Sequence, residues 1–144
     1  MAGLYDEDIV LWSERQADAL RRRAANEIDW ENVADEIEAV GRSEINATLS
    51  QIDNILRHRL CLLGWPNSPS ERKWQVELRE FHRQLRRYLT PSMTGGLEPK
   101  ISDATVSEAY GAAVDYCPVH METEPASPLP QACPWSLSEI LSGV

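Results

Sequence analysis

Four side chains in this sequence have the types needed for acid–base or metal chemistry. Glu36 and Glu44 lie eight residues apart in an acidic segment, and His58 and His82 follow downstream. Two carboxylates and an imidazole converging on one cavity make an acid/base pair or the start of a metal site. Carboxylate-bridged di-metal bundles require a Glu-x-x-His pair on facing helices, and the chain contains no Glu-x-x-His. A second constellation has zinc-ligand types. His58 and Cys61 are three apart, as are Cys117 and His120, so each pair can face one point. Zinc pairs usually sit in tight loops, and a cysteine near an apolar helix end is more often a small buried hydrophobe. The sequence has no Gly-x-Ser-x-Gly elbow, no flanked catalytic cysteine and no phosphate loop, since "TGG" lacks the lysine and spacing of one. No cofactor is implied.

The elements that carry these groups read as helices. In "YDEDIVLWSERQADALRRRA", Tyr5, Ile9, Trp12, Gln16 and Leu20 recur at helical spacing. Asp6, Glu7 and Asp8 in its first turn and Arg21, Arg22 and Arg23 in its last suit the helix dipole, so a helix is expected from Tyr5 to near Asn26. Asp29 can cap a second helix. Its stripe runs Trp30, Val33, Ile37, Val40, Gly41, Thr48, Ile52, Ile55, Arg59 and Leu62, and stops at "GWPNSPS". Such a helix is roughly 50 Å long. Gly41 inside it costs about 1 kcal/mol against alanine and predicts a bend or a close approach to another backbone. Ser70 is expected to cap a third helix with the seam Trp74, Leu78, Phe81, Leu85 and Tyr88 or Leu89. A fourth begins near Pro99 or Ser102. Residues 118–134 form a proline-rich arm, read as non-helical, and Ser136 with Glu139 makes a capping box for a short last helix. Strand alternation is absent. The expected architecture is all-α: one domain over 1–144, a bundle of four main helices plus a short C-terminal helix, with antiparallel neighbours because the connections are short.

Against this frame Glu44 falls between Val40 and Thr48, inside the apolar stripe, while Asp35 and Glu38 point outward and Glu36 sits at the margin. A carboxylate facing a core needs a partner, an open groove or a proton. A buried ion pair or a tyrosine contact that fixes helix register is the plainer expectation. A site role with Glu36 and a histidine is the sharper one. The charges segregate as well. Residues 27–44 carry seven carboxylates and one arginine, and residues 71–88 carry six bases and three acids. Opposed fields of this kind favour packing or pairing, in one chain or across a dimer.

Three stretches, "LYDEDIVLWSERQADALRRR", "IDWENVADEIEAVGRSE" and "CPWSLSEIL", together resemble a bacterial family known as the twenty-ninth domain of unknown function. The resemblance covers most of the chain in the same order. It implies a small helical protein and brings no activity and no catalytic residues.

Composition narrows the partners. A net charge of −9 repels nucleic acid and anionic membranes overall, and no apolar run approaches the roughly 20 residues of a membrane span. Three widely spaced cysteines and an N-terminus without basic and apolar signal regions lead us to expect a cytoplasmic protein. The leading expectation is a non-enzymatic helical module that binds another protein, self-association included. Trp65, in the turn, is the best exposed anchor, with Arg79, Arg83, Arg86 and Arg87 as charged contacts. An enzyme or metal protein built on Glu36, Glu44 and a histidine is one alternative. A nucleic-acid regulator using the arginine-rich third helix is another, disfavoured by the net charge.

Overall fold

The computed structural model describes residues 3–143, so Met1, Ala2 and Val144 of the expected 1–144 span lie outside the described residues. It is all-helical: α1 (Leu4–Glu7), α2 (Ile9–Arg22), α3 (Trp30–Gly64), α4 (Glu71–Tyr88), α5 (Pro91–Thr94), α6 (Asp103–Met121) and α7 (Leu137–Ser142), with a 3-10 turn at Ala25–Glu27. Four of the seven are long, and no strand occurs among the described residues. None is long and apolar enough to cross a membrane. The chain groups into two compact units, one ending at Ser43 and the other starting at Glu44.

The first unit is stitched mainly by polar contacts. The expected single first helix breaks at Asp8, whose backbone leaves the helical region while its carboxylate accepts from the Leu11 amide at 3.0 Å. Asp commonly makes this exchange, trading helix continuity for a cap. The helix also ends earlier than expected, because Arg23 adopts a left-handed conformation (φ 57°) after Arg22. α2 then lies antiparallel to the start of α3. Trp12 donates its indole N–H to Asp29 Oδ2 at 3.1 Å, and Gln16 Oε1 accepts from the Asp29 amide at 2.7 Å. Asp29 also accepts from Asn32, chiefly at its side chain, and this holds its carboxyl below the usual range. Buried apolar residues in this unit are few: Trp12, Ala19 and Val33.

The second unit holds the larger core. From α3 come Ile52, Ile55, Leu56 and Leu60, from α4 Leu85, from α6 Val106, Tyr110, Ala113 and Cys117, and from α7 Ile140. Trp74, Leu78 and Phe81 of the α4 seam pack against it. Removing one such fully buried Leu or Ile side chain down to Ala costs about 2–5 kcal/mol. Two local expectations change here and a third is narrowed. Ser70 stands at the start of α4 but its side chain caps nothing; Ser68 Oγ accepts from the Ser70 amide and Glu71 Oε2 from the Asn67 amide. Ser102, not Pro99, opens α6, through a capping box with Thr105. α6 then continues through Pro118 to Met121, so the first four residues of the proline-rich stretch are helical. Pro118 forfeits one amide donor. Buried Cys117 and the Tyr116–His120 stack, with ring centroids 5.2 Å apart, hold the turn on both sides of it. The rest of the arm is tied down by Tyr110 Oη donating to Pro130 O at 2.7 Å and by the Ala126 amide donating to Gly64 O at 2.7 Å. The expected box of Ser136 and Glu139 opens α7.

Gly41 neither breaks α3 nor meets another backbone: the helix runs through it, and a Cβ there would find nothing within 4 Å among the described residues. Gly64 does serve a close approach, since a Cβ would lie 2.9 Å from Leu129 Cδ2 and 3.3 Å from Pro125 Cβ. Gly41→Ala is therefore expected to stabilise the chain by about 1 kcal/mol in urea denaturation. Gly64→Ala is expected to destabilise it by roughly 1–3 kcal/mol through overpacking.

Candidate functional site

The carboxylates singled out by the sequence do not form a buried pair. Glu44 is exposed, which corrects its expected inward setting; only its backbone carbonyl is engaged, accepting from Thr48 Oγ1 at 2.9 Å. The periodicity placed it correctly on the apolar stripe, but the stripe is uncovered at that level, so its carboxylate stays in water. Glu36 is half-buried in the first unit and accepts from Tyr5 Oη at 2.6 Å, a bond that raises the Tyr5 phenol above its ordinary value. This is a tyrosine contact between helices of the kind expected for Glu44, made by its neighbour two turns earlier.

The histidines take other partners. His58 Nδ1 lies 2.8 Å from Asn54 O and Nε2 lies 2.7 Å from Glu77 Oε2. Both ring nitrogens thus face oxygen atoms. The His58 bond, with Lys73 contributing less, holds Glu77 below the usual carboxylate range. Cys61 and Cys117 do come together, with sulfurs 3.9 Å apart in the core, and Cys117 also reaches Arg57 O at 3.7 Å. His58 is held by Glu77, and His120 stacks on Tyr116 at the exposed side of α6, so neither joins the two sulfurs. Among the described residues no group of three His, Cys, Asp or Glu side chains is placed to hold a metal ion.

Trp65 is buried, not exposed as expected, because its indole N–H finds Thr123 Oγ1 at 2.9 Å. Arg79, Arg83, Arg86 and Arg87 are exposed. Arg83 is forked onto Glu80 at 2.6 and 2.9 Å, which lowers the Glu80 carboxyl to about 2. Arg79 lines a cleft of about 520 Å³ in the second unit, with His82, Arg59, Leu78 and Trp135.

The feature that sequence reasoning misplaced is an apolar face on the first turns of α3. Trp30, Ile37 and Val40, expected in the core, are 60%, 66% and 65% exposed. With Ala34, Gly41 and Glu44 they continue the row that Thr48, Ile52 and Ile55 bury further along the same helix. The spacing of 30, 34, 37, 41, 44 and 48 alternates four and three, the pattern of a helix–helix seam. Glu31, Asp35 and Glu38 flank it, all exposed.

The chain is a small all-helical protein. It belongs to the family described as domain of unknown function DUF29, whose model matches residues 4–143. Its fold is similar to that of an α-helical protein of unknown function from Rhodospirillum rubrum ATCC 11170. The two are 24% identical, with 98% of this chain and 90% of that chain covered and a TM-score of 0.67. No curated protein matches the chain.

The His58–Glu77 pair carries a pH signature. Glu77 titrates lower in the folded chain than its ordinary value, so its stabilisation is present above about pH 4.5 and is lost as pH falls through the lowered value. Urea midpoints of the parent and of Glu77→Gln are expected to differ at pH 6 and to converge as the pH falls below the lowered Glu77 value. The side chains are partly solvent-exposed, so the difference is small, about 0–1 kcal/mol.

Proposed function

We propose that this chain is a protein-interaction module whose acidic, apolar face on α3 receives a basic amphipathic helix of a partner protein. The observation that carries this reading is the row Trp30, Ile37 and Val40, left more than half exposed on a seam whose continuation is core. Contiguous apolar surface of this kind, rimmed by charge, marks interaction sites. A helix laid against it would anchor at i, i+3, i+4 and i+7 positions. Tryptophan is the side chain most enriched among energetic hot spots. The occupant's sign follows from the rim. Residues 27–44 carry seven carboxylates against one arginine, so a basic segment gains from the field, whereas the same face of a second copy repels it. Three free cysteines support a reducing compartment such as the cytoplasm as the setting. The nucleic-acid reading loses support, because Arg83 is already engaged by Glu80 on a helix that also carries Glu71 and Glu77.

The test is fluorescence anisotropy with two labelled 18-residue amphipathic helices, one of Leu and Lys and one of Leu and Glu. The basic peptide is expected to bind, more weakly at 0.5 M salt, and the acidic one to bind at least about tenfold more weakly. Trp30→Ala combined with Ile37→Ser is expected to weaken binding by at least about tenfold while moving stability by no more than about 0.5 kcal/mol. Equal binding of both peptides, or no effect of the double substitution, refutes the reading. A dimer in sedimentation that dissolves on the same substitution assigns the face to a second copy instead.

A further inference from the structure

Two thiols from distant parts of the chain meet in the core of the second unit, and the interaction face on α3 uses neither. Cys61 lies in the last turn of α3 and Cys117 near the end of α6, 56 residues apart in sequence, with their sulfurs 3.9 Å apart. A buried cysteine is commonly a small apolar filler. Two whose sulfurs are neighbours also make a dithiol, which a two-electron oxidant converts to a disulfide. That bond requires the sulfurs to close to about 2.05 Å, an approach of about 1.9 Å. Cys117 directly precedes Pro118, whose missing amide leaves the Val114 carbonyl without its helical donor, so α6 is held less firmly at this turn. The product suits the site as well. A disulfide is uncharged and needs no polar partner in the apolar core it would share with Leu56, Leu60 and Ala113. The two sulfurs are unequal. Cys61 is 7% exposed and Cys117 not at all, so an oxidant arriving from solvent meets Cys61 first. The hydrogen bond between them holds the Cys61 thiol below its ordinary value and, with burial, raises Cys117. Thiolate is the reactive form, which makes Cys61 the attacking sulfur and Cys117 the resolving one.

We propose that Cys61 and Cys117 are a reversible redox pair, which a hydroperoxide converts to a disulfide joining α3 to α6. The Cys61 thiolate attacks one peroxide oxygen. An S–O bond forms, the O–O bond breaks, and the other oxygen leaves with the proton that Cys61 released, as water or an alcohol. The Cys117 sulfur then attacks the sulfenic sulfur of Cys61. The S–S bond forms, the S–O bond breaks, and hydroxide departs with the Cys117 proton as water. The two thiols lose two electrons and the peroxide gains them. Cys133 takes no part, its thiol donating to Trp135 O at 3.2 Å. The disulfide closes a loop that contains all of α4, which restricts the unfolded chain.

The test is treatment of the native full chain with hydrogen peroxide, followed by denaturation in an alkylating agent that labels the remaining thiols. Labelled thiols are expected to fall from three to one. A non-reducing peptide map is expected to place that label on Cys133 and to show one pair of peptides joined through Cys61 and Cys117. The urea midpoint is expected to rise on oxidation and to return with dithiothreitol, which does not reverse methionine oxidation. Cys133→Ser is expected to cross-link as the parent does. Cys117→Ser leaves Cys61 without a resolving sulfur, so dimedone is expected to capture a sulfenic acid there; where that variant does not fold, the parent chain alone decides the question. A thiol count that stays at three, a cross-link through Cys133 or to a second copy, a sulfinic acid at Cys61 without a cross-link, or a urea midpoint that falls on cross-linking overturns the inference.

Discussion

A single apolar row on α3, covered along one part of the helix and bare along the other, governs the rest of this structure. From Thr48 onward the row meets α4, α6 and α7, and Ile52, Ile55, Leu56 and Leu60 are removed from water entirely. Each such side chain contributes about 1.5–3 kcal/mol by burial, enough for a handful to decide where the stable core forms. Before Thr48 the row carries Trp30, Ile37 and Val40 in water, and the unit there depends on polar stitching at Asp29, Gln16 and Glu36. A net hydrogen bond contributes about 1 kcal/mol, so such stitching fixes geometry more than it supplies stability. The division explains why one part of the chain has the character of a core and the other the character of an exposed surface.

Much of the architecture was legible in the sequence. The 3.6-residue period gave α3 its span from Trp30 to Gly64, and the Ser-x-x-Glu spacing gave the start of α7. These signals are local: a cap or a face depends on residues within one or two turns. The errors have a shared physical origin. Periodicity tells which face of a helix is apolar and is silent on whether another element lies over it. Trp30, Ile37, Val40 and Glu44 were assigned to the right face and the wrong solvent environment for that reason. Trp65 failed in the opposite sense, since its partner Thr123 is 58 residues away and no local rule reveals it. Asp8 and Pro118 show side-chain chemistry and tertiary packing overriding the helix pattern, one breaking a helix and the other failing to end it.

Chemistry-bearing residue types proved a poor guide to sites. Glu36, His58 and the two buried cysteines are spent on Tyr5, on Glu77 and on each other. His82 was visible in the sequence only as one histidine of three. Its setting, buried at a cleft wall with Arg59, Arg79 and Arg86 near, depends on residues of α3 and α4 and those flanking α7 meeting, which no spacing encodes. Membership of the DUF29 family and the helical fold shared with the Rhodospirillum rubrum protein agree with this architecture and carry no activity with them.

The bare row on α3 is the claim on which the account stands, and it can be read in the free protein. With 5-fluorotryptophan at all five positions and a soluble nitroxide added, fluorine relaxation reports the solvent access of each indole. The account requires the Trp30 resonance, assigned by Trp30→Phe, to broaden strongly while those of Trp12 and Trp65 stay protected. A Trp30 resonance as shielded as that of Trp12 in the monomer would contradict it.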